Sequence, residues 1–94
     1  GAMQIELIEG GGQLFQNTNA TQIVWESHND EVHVLPENFF CTAKSESCQI
    51  QGMENNEGDR FGLQFHPEVN DSEFGKEIFE NFVSICRKYK QSQN

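Results

Sequence analysis

A single run of helical periodicity, close to the C-terminus of a chain otherwise punctuated like a β protein, limits the folds open to these 94 residues. From Asn70-Asp71-Ser72 to Lys90 the apolar positions are Phe74, Ile78, Phe79, Phe82, Val83, Ile85, Cys86 and Tyr89. Their spacing traces one broad helical face. Asn70, Asp71 and Ser72 offer N-caps. Glu73, Glu77 and Glu80 fall in the first half and Arg87, Lys88 and Lys90 in the last turns, so both groups complement the helix dipole. Gln91 to Asn94 is expected to fray.

Upstream, short β-rich runs alternate with turn residues. Gln4 to Glu9 alternates around Ile5 and Leu7 and reads as a half-buried strand. Gly10-Gly11-Gly12 interrupts it. No Lys-Ser/Thr and no G-x-G-x-x-G follows, so a turn is preferred to a phosphate loop. Gln22 to Glu26 is a second strand, rich in β-branched and aromatic residues. It runs directly into the polar stretch Ser27 to Val32, where binding loop and capped structural loop both stand open. After the turn at Leu35 to Asn38, Phe39–Lys44 and Cys48–Met53 read as an antiparallel hairpin. Glu54 to Arg60 reads as a polar loop, and Phe61 to His66 as the last strand.

That strand ends in Gln64-Phe65-His66-Pro67-Glu68-Val69. In extended backbone, residues two apart share a face, so His66 and Glu68 are expected to meet. Pro67 keeps its predecessor out of helical geometry and marks a strand end. A carboxylate on one ring nitrogen fixes a histidine's tautomer and leaves the other nitrogen to act as a base. This is two thirds of a nucleophilic triad. The nucleophile is the missing third. Cys41, Cys48 and Cys86 are widely spaced, form no C-x-x-C, and have neither a nearby base nor a strained turn, so core packing explains them better.

Length allows one small domain. Gly1-Ala2-Met3 reads as a cloning scar, leaving residues 4–94 as the domain. A formal charge of −9, spread from Glu6 to Glu80, excludes the cationic footprint that nucleic acid or an anionic membrane requires. The unpaired cysteines and the lack of a leader-like or membrane-spanning run point to the cytoplasm.

Between Val24 and Phe82 the chain resembles the class I glutamine amidotransferases, in their GMP-synthase branch. Trp25-Glu26-Ser27-His28-Asn29-Asp30-Glu31-Val32 with Pro36 and Phe39 is similar to that branch's W-x-S-H-x-D-x-V…P-x-x-F stretch. Gln64 to Val69, with Gly75 and Asn81-Phe82, is similar to its Q-F-H-P-E-V…G…N-F ending. The resemblance implies a catalytic His66 that moves protons and a Glu68 that orients it. It implies Ser27, His28, Asn29 and Asp30 near bound glutamine. The ammonia would pass to an ATP-pyrophosphatase subunit or domain that aminates XMP using ATP and magnesium, with no cofactor or metal in this chain. The family's G-x-C-x-G elbow has no counterpart here, and Asn70-Asp71-Ser72 replaces its A-H-T.

The fold implied is α/β: the C-terminal half of a flavodoxin-like, three-layer amidotransferase domain. It should have about five strands, a β-hairpin and one long C-terminal helix, and look α+β in isolation. Its partners would be the N-terminal half that holds the nucleophile and the synthetase. Without the nucleophile the chain is expected to be inactive alone. The competing reading is a non-catalytic module on the same scaffold that docks on a synthetase subunit or forms a homo-oligomer.

Overall fold

The computed structural model describes residues 1–25, 34–67 and 72–93. Among them β1 (Ala2–Leu7), β2 (Thr21–Trp25), β3 (Phe39–Lys44), β4 (Gly52–Asn55) and β5 (Phe61–Leu63) form one sheet, in the order β2-β1-β3-β4-β5. All neighbours run antiparallel. Helix α1 (Gly75–Gln93) follows. This is the α+β appearance expected of the isolated piece.

Several boundaries differ from the sequence reading. Ala2 and Met3, set aside as a scar, pair with Trp25 and Val24, so β1 begins before Gln4. The hairpin exists, but its second strand is Gly52–Asn55 rather than Cys48–Met53. Residues 45–51 form a connection whose turn is closed by the Ser45 amide donating to the Cys48 carbonyl at 2.8 Å. Cys48 and Ile50 are buried from that connection, which explains why they read as strand. Glu54 and Asn55, read as loop, are strand residues and almost fully buried. Their polarity serves internal hydrogen bonds. Asn55 Oδ1 accepts from the amides of Asp59 and Arg60, both at 3.0 Å, and so builds the turn into β5.

The glycine run is a turn, as expected. A 3-10 turn at Glu9–Gly11 leads into Gly12, which lies at φ 66°. The amides just beyond it hold an anion, and that anion is the protein's own. The Glu54 carboxylate accepts from the Gln13 amide at 3.1 Å and the Leu14 amide at 3.0 Å. A Cβ on Gly12 would stand 2.6 Å from this carboxylate, so both conformation and space require glycine there.

The core comprises Ile5, Leu14, Phe15, Val24, Ala43, Phe65 and Ile78. The rings of Phe15 and Phe65 lie 6.1 Å apart and tilted, within the range for an aromatic pair. Helix α1 contributes only part of its apolar stripe. Ile78 is fully buried and Ile85 packs partly against the core, but Phe79, Phe82 and Tyr89 are exposed, at 62%, 45% and 51%. The broad face read from the periodicity is therefore two faces, one on this core and one outward. The helix is fastened instead by Asn81, whose side-chain amide donates to the carbonyls of Leu14 (2.9 Å) and Gln16 (2.6 Å). The helix runs to Gln93.

Candidate functional site

β5 stops at Leu63, and Pro67 begins a turn, so His66 lies three residues beyond the strand that was expected to carry it. The sheet curls until this segment meets the outer edge of β2. The His66 amide donates to the Trp25 carbonyl at 2.9 Å. Phe65, the preceding residue, is buried in the core, which leaves the half-buried His66 at the rim.

A third segment closes the junction. Ser72 is 5% exposed and its hydroxyl has two partners. It donates to the His66 carbonyl at 2.8 Å and accepts from the Trp25 amide at 2.9 Å. One residue on, Glu73 and Ile23 exchange bonds: the Glu73 amide donates to the Ile23 carbonyl, and the Ile23 amide to the Glu73 carboxylate. These contacts occupy the edge of β2, which would otherwise offer unpaired backbone to another chain. Gly75 completes the fit. A Cβ there would overlap the Pro67 carbonyl oxygen and lie 3.0 Å from its carbon.

The candidate residues divide sharply. His66 is placed, at the point where the end of β2, the end of the β5 segment and the approach to α1 are tied together. Ser27, His28, Asn29, Asp30 and Glu68 lie outside the described residues, as does His33. Trp25, which leads into Ser27 to Asp30, and Pro67, which leads into Glu68, both belong to the junction. Ser72, read from sequence as a helix cap, is instead a cross-link between segments; the Gly75 amide reaches its backbone carbonyl, not its hydroxyl. Sequence reasoning likewise missed Glu54, and it gave Asn81 only as a motif residue, without its anchoring role. For Asn81 a polar residue amid the apolar pattern of α1 was the available signal; Glu54, followed by Asn55-Asn56-Glu57, offered none.

The thiols stand apart from this junction. Cys48 is buried, with its thiol donating to the Ile50 carbonyl at 3.3 Å. Cys41 is half-buried in β3, and its thiol donates to the Ala43 carbonyl at 3.3 Å. Burial pushes the Cys41 thiol up, against smaller opposing effects of that hydrogen bond and of Lys44. That is the reverse of an activated nucleophile. Cys86 is exposed on α1. Iodoacetamide at neutral pH should therefore label exposed Cys86 first, half-buried Cys41 more slowly and Cys48 only on unfolding. Mass spectrometry of the labelled chain checks the order.

Two of the concavities among the described residues bear on the candidate site. A cleft of about 680 Å³ beside β1 is lined by residues that include Met3, Ile5, Lys44 and Glu46. It exists because β1 pairs with β3 only at Glu6 and Leu7, and it contains none of the candidate residues. A smaller apolar groove of about 270 Å³ runs between α1 and β5, lined by Leu14, Phe61, Leu63, Pro67, Ile78, Phe79 and Phe82. It adjoins the site through Pro67.

Comparison with known proteins agrees with this fold. Residues 1–86 match the family model for glutamine amidotransferase class-I. The glutamine-hydrolysing GMP synthase subunit of Methanosphaera stadtmanae is 42% identical over 87 residues, which is 93% of this chain and 46% of the relative. Its Thermoplasma volcanium counterpart is 45% identical over 69 residues, 73% of this chain and 34% of that protein. The crystal structure of a Thermoplasma acidophilum protein described as a GMP synthase subunit superposes with a TM-score of 0.93 at 35% identity. That superposition takes in 99% of this chain and 46% of the other. The chain thus spans less than half the length of these relatives, and its curled sheet and terminal helix reproduce a fragment of their fold. With the family model matched over nearly all its length, this chain belongs to the class I glutamine amidotransferases.

Proposed function

We propose that the chain supplies the proton-handling part of a GMP-synthase-type glutaminase, and that the nucleophilic cysteine comes from a separate segment. The observation that carries this reading is His66, held at the end of β2 in a chain whose relatives are GMP synthase subunits. A cysteine thiolate attacks the side-chain amide carbon of glutamine. His66, oriented by Glu68, gives a proton to the departing nitrogen, and ammonia leaves. His66 then takes a proton from water as it attacks the thioester, which releases glutamate and restores the cysteine thiolate beside a protonated His66. Ser27 to Asp30 would contact the glutamine. Ammonia would go to an ATP-pyrophosphatase partner that converts XMP to GMP, with ATP and magnesium bound there and no cofactor or metal in this chain. The compartment for this chemistry is the cytoplasm. Among the described residues no helix is long and apolar enough to cross a membrane.

Alone, the chain should release no ammonia from glutamine. Mixed with the cysteine-bearing half of a matching amidotransferase domain, it should do so. A faithful, folded partner that restores nothing would count against this reading.

The outward face of Phe79, Phe82 and Tyr89, continuous with the groove beside Pro67, favours a second reading. An apolar surface of this kind marks a docking site. On that reading the chain docks or self-associates without performing chemistry. Light scattering separates the two: a monodisperse monomer that becomes active on complementation excludes the self-associating module.

A further inference from the structure

We infer that Ser72 is a positioning residue of this site: its hydroxyl ties the end of β2, which leads into Ser27 to Asp30, to the backbone that carries His66. The inference rests on the glutaminase reading for what the site does, but on geometry alone for how it is held.

A serine hydroxyl has one proton to donate and lone pairs to accept with. Here both capacities are used across segments distant in sequence, toward His66 at 2.8 Å and from Trp25 at 2.9 Å. Ser72 itself is buried, so its hydroxyl is largely shielded from water, while Trp25 and His66 are half-buried. The direct bond from the His66 amide to the Trp25 carbonyl fixes one side of the contact, and Ser72 fixes the other. Together they define the separation and the relative rotation of the two segments. A single bond would leave a hinge. The Glu73–Ile23 exchange is a second tie further along β2, but Glu73 is solvent-exposed and its carboxylate bond is weakened accordingly. Gly75 lies close against the Pro67 carbonyl, which sets how near residues 72–75 can approach the His66 segment. Alanine at 72 would delete both bonds and leave the Trp25 amide and His66 carbonyl without this partner. Threonine keeps the hydroxyl.

Hydrogen exchange and NMR on Ser72→Ala and Ser72→Thr provide the test. In Ser72→Ala the Trp25 amide should exchange about tenfold faster, as expected for loss of one native hydrogen bond. The core amides of Ile5 and Ala43 should keep their protection. The ring proton–nitrogen resonances of His66 should shift, and Ser72→Thr should restore both signals. In the complemented assembly, Ser72→Ala should lower kcat for glutamine hydrolysis about tenfold, with KM moving less. Unchanged Trp25 exchange would overturn the inference. So would an equal acceleration at every amide with no His66 ring shift, since that describes a purely structural residue. If the unsubstituted assembly makes no ammonia, the glutaminase reading fails while exchange and ring shifts still decide the role of Ser72.

Discussion

Glu54→Ala should reduce the unfolding free energy by about 2–4 kcal/mol, although it removes an acidic residue from a chain with a net charge of −9. Reducing self-repulsion would by itself favour the compact state. The opposing effect is larger. The Glu54 carboxylate is 1% exposed and accepts from two backbone amides, those of Gln13 and Leu14. Hydrogen bonds to a charged group contribute about 1.5–3 kcal/mol each, and a buried amide left without a partner carries a penalty of its own. Alanine also leaves a void beside Gly12, where the backbone cannot readily collapse because it already sits at positive φ. Glu54→Gln keeps one acceptor oxygen but turns an amide donor toward a backbone donor, so it should fall between the two. Urea unfolding reads the effect as a lower midpoint at unchanged slope. A loss below about 0.5 kcal/mol, the range of ordinary surface substitutions, would show that the glycine turn does not depend on this carboxylate.

Gly75→Ala should also destabilise, and its sign is the informative part. In an exposed helix interior the same change normally gains about 1 kcal/mol, because glycine is a poor helix former. At the first residue of α1 the added methyl would instead meet the Pro67 carbonyl. The obstacle is backbone on both sides, so no rotamer change relieves it. Overpacking of this kind costs about 1–3 kcal/mol, enough to outweigh the propensity gain. The substitution should further displace Pro67 and with it His66, so the Trp25–His66 bond should loosen as well. Thermal unfolding with amide exchange at His66 measures both effects. A rise in Tm would contradict the close approach.

Much of the architecture was legible because its signals are local. The helix followed from its period and the hairpin from two β-rich runs. Assignment to the family followed from two ordered motifs, Trp25 to Val32 and Gln64 to Val69. What escaped the sequence was polarity directed inward. Glu54 and Asn55 read as loop because acidic and amide side chains are normally solvated. Here each is satisfied by backbone amides, Glu54's from residues some forty positions away. Ser72 read as a cap because it precedes a helix, whereas its partners lie on two other segments. The outward turn of Phe79, Phe82 and Tyr89 was hidden for the opposite reason: periodicity reports that a face is apolar, not how many surfaces share it. Of the candidate site, only His66 lies among the described residues; its role, like those of Glu68 and Ser27 to Asp30, is a proposal drawn from the family motifs.

The most direct measurement is ammonia release from glutamine by the chain mixed with a cysteine-bearing amidotransferase half, compared between His66 and His66→Ala. With His66 as the proton-transfer group, the substitution should lower the rate by about 10²–10⁴-fold while the variant still folds and binds its partner. A His66→Ala assembly as active as the unsubstituted one would contradict that role.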